Sequence, residues 1–374
     1  MDKFRMTNRI ASAAMLLILV VGVISACAPA TQTPVKLDKV TWVSPRGTLE
    51  VMDDANLWVS EELGYFEEMG IELDAQGGPN ESHACVRMVA EGQADVGYPS
   101  PGVLVTGNDT GIPATMAWEM MMKQVFDFAV PKGSDIDEVT DLEGKTICLG
   151  SEGWTTIVDP ILYEAGVPLD SVEYVNAGWP GWGQATAQGQ CDAALGWRGL
   201  SADWDAAGLE MDYLVGKTFS KHPANGYAIR RSDLDDAERV EILTRFFKAV
   251  AMGLEFSRLN PRAAAQIAYK QFPAYAEQYK PEHAFASMWE LNCNYWDGYY
   301  AGEGYGYANI EGWDSYLDAV YELGQIKTRP KTEDIVTNFF IKEANEFDHE
   351  RVKKDAESFK LDPEFEAIVV PSEC

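Results

Sequence analysis

Between residues 38 and 233, short β-branched and apolar runs alternate with helical patterns, and past residue 233 the strand-like runs stop. Few architectures accommodate that change of rhythm. Segments 40–43, 71–75, 94–97, 114–118, 126–130, 146–149, 172–176, 193–196 and 226–230 read as strands, and 56–66 as an amphipathic helix closed by Gly70. Strand, helix and strand in succession build parallel βαβ units, so the class is α/β. Leu243, Phe246, Phe247, Val250 and Leu254 then recur at 3.6-residue spacing, which predicts a helix with a core-facing stripe. Residues 331–360 are charged, with apolar points at Phe339, Phe340, Ile341 and Phe347, and are expected to form a helical strap over the outside.

The first 26 residues stand apart from this pattern. Lys3, Arg5 and Arg9 outweigh Asp2 and precede an apolar run over 11–23, which is short for a bilayer span and has the layout of an export signal. Ile24-Ser25-Ala26-Cys27 resembles a lipobox, and that resemblance implies cleavage before Cys27 and a lipid on its thiol. Residues 27–37 then read as lipidated Cys and flexible tether. Asp and Glu number 59 against 30 Lys and Arg, a formal charge of -29 that repels phosphate backbones and excludes nucleic-acid binding. With four His and no CxxC or HxxxH spacing, neither a metal nor a cofactor is expected. Cys85, Cys148, Cys191, Cys293 and Cys374 follow Cys27. Cys148 and Cys191 sit in two strand-like runs, where a disulfide and a pair of small buried hydrophobes are both open readings.

Four motifs carry a family resemblance. Leu57-Trp58-Val59-Ser60-Glu61-Glu62-Leu63-Gly64-Tyr65-Phe66, running on to Gly70-Ile71-Glu72-Leu73, resembles the opening of type II periplasmic binding proteins. Glu91-Gly92-Gln93-Ala94-Asp95-Val96-Gly97 is similar to a strand entry of these proteins, and Gly189-Gln190-Cys191-Asp192-Ala193-Ala194 repeats that Gly-x-x-Asp form in the second half, while Asp141-Leu142-Glu143-Gly144-Lys145-Thr146-Ile147 is similar to their DLxGKxI motif. The nearest branch is the one that binds thiamine-pyrimidine precursors and sulfonates. The resemblance implies two lobes, each a mostly parallel sheet flanked by helices, joined by two crossings. The first crossing is expected after Trp118, at Met120-Met121-Met122-Lys123, and the return near Asn225-Gly226-Tyr227. Residues 38–123 with 227–374 would form domain I, and 124–226 domain II. Ligand would lie between them, enclosed by hinge closure.

Ligands of open α/β sheets bind beyond the carboxyl ends of strands. Those loops are rich in aromatic residues here. Ser151, Glu152, Trp154 and Thr155 follow the strand at 146–149, Trp179 and Trp182 the strand at 172–176, and Trp197 and Arg198 the strand at 193–196. Small residues separate the rings, which read as stacking walls or as packing. The first lobe offers Arg46, Thr48, Asn80, Ser82, Tyr98 and Ser100 at the same level, with Ser100 also a natural N-cap. Trp118, Asn225 and Tyr227 fall at the crossings. Arg46 and Arg198 are the cations placed to meet an anion, with ion pairing to the many acids as the plainer reading.

The resemblance implies a monomeric substrate-binding lipoprotein that works with an ABC permease and ATPase. It would hold a pyrimidine- or flavin-like ring, or a sulfonate, on the extracytoplasmic face of the membrane. The same fold serves a pyrimidine synthase, marked by a CCCFC run and an active-site His. This chain has no adjacent Cys pair, and its four His sit in ordinary contexts, so a non-enzyme is expected. A sensor-linked binding module is a third possibility.

Overall fold

The computed structural model describes residues 37–49, 51–79, 83–121, 124–296 and 303–374. The export signal, Cys27, its tether up to residue 36, Asn80, Ser82, Met122 and Lys123 lie outside the described residues. The strands are β1 (Asp38–Ser44), β2 (Ile71–Gly77), β3 (Val96–Gly97), β4 (Ala114–Glu119), β5 (Asp127–Pro131), β6 (Thr146–Leu149), β7 (Glu173–Asn176), β8 (Ala193–Gly196), β9 (Met211–Leu214) and β10 (Gly226–Arg230). They form two five-stranded sheets, ordered β2-β1-β3-β10-β4 and β7-β6-β8-β5-β9. In the first, β1 runs parallel to β2 and β3, while β10 is antiparallel to β3 and β4. The second repeats the scheme: β6 is parallel to β7 and β8, and β5 is antiparallel to β8 and β9.

Each sheet is therefore mixed. The antiparallel member, β5 or β10, is the strand that enters directly from a crossing between sheets, without an intervening helix to restore its direction. β9 escapes sequence reading because only its first residue is buried, so this edge strand lacks an apolar run. The helix expected over 56–66 breaks into Ala55–Glu62 and Tyr65–Glu68, because Gly64 adopts a left-handed conformation (φ 71°) that needs no Cβ to be accommodated.

The helix Ala237–Leu259 packs along the first sheet with Leu243, Phe246, Phe247, Val250 and Leu254 fully buried. The Asp236 side chain starts it by accepting the N–H groups of Glu238 and Arg239. The C-terminal strap runs over this helix through Ile341–Ala344 and His349–Ser358, with Phe340 inward and Phe339 exposed. Among the described residues two disulfides brace the chain. Cys148–Cys191 ties β6 to the residues ahead of β8, and Cys293–Cys374 holds the C-terminus, leaving Cys85 buried and unpaired. Among the described residues no helix is long and apolar enough to cross a membrane.

Candidate ligand cleft

The carboxyl ends of the parallel strands of both sheets converge on one cavity of about 110 Å³. Pro45, Arg46 and Gly47 reach it from the end of β1, and Tyr98, Pro99 and Ser100 from the end of β3. Gly150, Ser151 and Trp154 come from the end of β6, Trp179 from the end of β7 and Trp197 from the end of β8. The crossings complete the wall with Met121, Val125, Phe126 and Asn225.

On the second-sheet side the indoles pack on one another. Trp179 lies 4.7 Å from Trp182 and 6.0 Å from Trp197, both stacked, and Trp154 stands edge-on to Trp182 at 5.3 Å. Local sequence makes room for them. A Cβ at Gly150 would come within 2.9 Å of the Trp154 ring, and one at Gly183 within 2.7 Å of Trp204. The small residues between the tryptophans are thus the surfaces on which they rest. Trp182 is the floor of the group, fully buried, and its Nε1 donates to the Leu195 carbonyl at 2.6 Å. Trp154, Trp179 and Trp197 remain half-buried and present themselves to the cavity.

The first-sheet side carries one cation and two acids. Arg46 Nη2 donates to Asp54 at 2.6 Å, its Nη1 lies 3.9 Å from Asp53, and the guanidinium sits 5.7 Å over the Tyr98 ring. Burial works against the Arg46 charge, but Asp54 and Asp53 more than offset it and its pKa is raised. Burial pushes the Asp53 carboxyl up to about 6 against the opposing pull of Arg46, and it raises Asp54 as well. Ser100 lines the cavity and also caps the helix Pro101–Asp109, its Oγ accepting from the Val103 N–H.

Other expected contacts lie elsewhere. Arg198 turns away from the cavity, because a two-point ion pair with Glu290, both contacts at 2.8 Å, and the face of Tyr213 hold it. Trp118 is buried flat against Phe247 at 5.3 Å, and Tyr227 is buried edge-on to Tyr98. Glu152 is exposed, the Thr155 hydroxyl bonds back to the Glu152 carbonyl, and Thr48 does not reach the wall. Tyr295, Trp296 and Tyr305 are core residues. Sequence reading missed Asp53, Met121, Val125 and Phe126. For Asp53 a signal existed: one arginine followed by two adjacent acids in a single strand-to-helix loop.

Both crossings are fastened by buried carboxylates. Met120 and Met121 N–H groups donate to the Asn225 carbonyl at 3.1 and 3.2 Å, joining outgoing and returning segments. Glu119 accepts from Ala224 at 3.1 Å and Asn309 at 3.3 Å. Asp127 accepts from Gly216 at 2.7 Å and from the Tyr295 hydroxyl at 3.3 Å. Burial raises Glu119 to about 8 and Asp127 to about 7, although the N–H bonds pull the other way. The rims also touch outside the cavity. Tyr316 donates to the Thr156 carbonyl at 3.1 Å on one flank, and Ser287 to the Gly199 carbonyl at 2.5 Å on the other.

A family profile described as NMT1/THI5 like matches residues 52–264, more than half of the chain. The chain belongs to this family. No curated protein matches it. Among solved structures, this NMT1/THI5-like chain is similar to the nitrate-binding protein NrtA from Synechocystis, with TM-score 0.63, 12% identity, and coverage of 88% of this chain and 99% of that one. It is also similar to the alkanesulfonate-binding protein SsuA from Xanthomonas axonopodis, solved with MOPS bound, with TM-score 0.61, 11% identity and coverage of 80% and 98%. The aliphatic sulphonate binding protein SsuA from Escherichia coli gives TM-score 0.60, 12% identity and coverage of 80% and 92%. At such identities the likeness establishes the two-lobed periplasmic binding protein fold of this NMT1/THI5-like chain.

Proposed function

We propose that this chain is the substrate-binding lipoprotein of an ABC importer, capturing a small planar aromatic or heterocyclic ligand between its two sheets. The observation that carries this reading is the set of three half-buried indoles, Trp154, Trp179 and Trp197, presented to one cavity by three adjacent strand ends. Residues 38–123 with 227–374 act as one domain and 124–226 as the other, and they close about the paired crossings. Cys27 carries the lipid, and the protein works as an extracytoplasmic monomer that hands its ligand to a permease and ATPase. The ligand is a pyrimidine- or flavin-like ring, bound without turnover. A sulfonate is the second reading, supported by the two SsuA proteins named above.

Native mass spectrometry of the full chain tests the first reading, with a co-purifying planar ring expected and an aliphatic ligand contradicting it. Cys27→Ser tests the anchor: the variant should leave the membrane fraction, and equal membrane association would refute lipidation there.

A further inference from the structure

We propose that the cleft selects for positive charge, with Asp53 as the acceptor for an amine or amidinium on the ligand ring. The proposal rests on the cleft being the planar-ligand site, and it names the sign of charge that site accepts.

Among the described residues two charged ones line the cavity, Arg46 and Asp53. Arg46 is committed: Asp54 takes its Nη2 at 2.6 Å, Tyr98 covers it, and 11% of its side chain is exposed. Its Nε lacks an acceptor but is sealed from solvent, so that N–H is closed to an entering sulfonate. Asp53 is placed differently. Its nearest charged partner is Arg46 Nη1 at 3.9 Å, beyond hydrogen-bond distance, and 10% of its side chain opens on the cavity. With Asp54 fully buried, the three residues sum to one negative charge when both acids are ionised. An anion would meet that charge at short range in a low-dielectric site, whereas an amidinium would complete it.

Two further features act in the same direction. Trp154, Trp179 and Trp197 also line the cavity, and an indole attracts a cation that reaches its face. The formal charge of -29 raises the local concentration of cations around the molecule and lowers that of anions. Asp53 also stands where the sheets meet. A Cβ at Gly199, just past β8, would fall 2.6 Å from its Oδ1, so the carboxylate packs against the second-sheet side of the cleft.

Three probes of one ring size separate charge from shape: benzamidinium, benzamide and benzenesulfonate, titrated calorimetrically into the full chain. The expected order is benzamidinium, then benzamide, then benzenesulfonate, with at least tenfold between the first and the last. Asp53→Asn should weaken benzamidinium about tenfold and leave benzamide within about twofold, with a thermal melt confirming the fold. Benzenesulfonate binding as well as benzamidinium would overturn the charge selection and leave the planar-ring reading intact. Failure of all three to bind would overturn the planar-ring reading and the proposal with it. The order among probes in the unmodified protein decides the matter even where Asp53→Asn fails to fold.

Discussion

The two sheets run their strands in the same spatial order and expose the same ends to the cleft, yet the two rims are chemically unlike. The first-sheet rim holds Arg46, Asp53 and Asp54, one cation and two acids in a cluster largely closed to solvent. The second-sheet rim holds Trp154, Trp179, Trp182 and Trp197, four indoles in mutual contact. One scaffold therefore supports two kinds of surface, and the loops after the strands set which kind appears. A second contrast lies within each rim. One member of each set is buried beneath the others, Asp54 on one side and Trp182 on the other, and these floor residues hold the cavity-facing ones in place.

That contrast can be broken by truncating the floors and supports first. Arg46→Ala leaves Asp54 buried without its cation and should cost about 3–5 kcal/mol of stability. Trp182→Ala removes a fully buried ring and the hydrogen bond to Leu195, and should cost about 3–5 kcal/mol by cavity formation. Denaturant unfolding checks both, and a loss below about 1 kcal/mol in either would mean that the residue is not a support. Arg198→Ala is the matched control on the opposite side. Its pair with Glu290 is a quarter exposed, so about 1 kcal/mol of stability should go and ligand affinity should hold.

The smallest effect sharpens a different comparison, between crossings and rims. Glu119 and Asp127, raised to about 8 and about 7, keep protons that an unfolded chain releases near pH 4. Between those limits the native state binds more protons than the unfolded one. Stability from these groups therefore falls as pH rises through that window and levels off above it. Unfolding free energies at about pH 5.5 and 8.5 should show a drop that Glu119→Gln and Asp127→Asn each reduce. Slopes identical to the parent protein would show that the two carboxyls are ionised throughout.

Much of the fold is legible because it rests on local apolar runs. The strands 146–149, 193–196 and 226–230 coincide with what their residues predict, and the stripe from Leu243 to Leu254 is the buried face of its helix. What sequence could not show is where a long side chain goes. Arg46 and Arg198 read alike, each a cation just past a strand, and only the tertiary positions of Asp54 and Glu290 decide which of them faces the cavity. Trp118, Trp182 and Tyr227 sit beside residues that do line it, but strand alternation and helix phase turn their rings into the core. Asp53 stayed hidden for a related reason, since acids in a first helical turn are ordinary.

The central claim is that half-buried indoles bind a planar ligand. A fluorescence titration of the parent protein, Trp154→Ala, Trp179→Ala and Trp197→Ala with the co-purified ligand tests it most directly. Stacking is worth about 0.5–1.5 kcal/mol beyond the area buried, and that area adds about 25 cal/mol per Å². Binding should quench tryptophan emission to saturation at one ligand per chain, and at least one of the three variants should bind at least tenfold more weakly while melting as the parent does. Unchanged affinity in all three folded variants would contradict the account and make these rings packing alone.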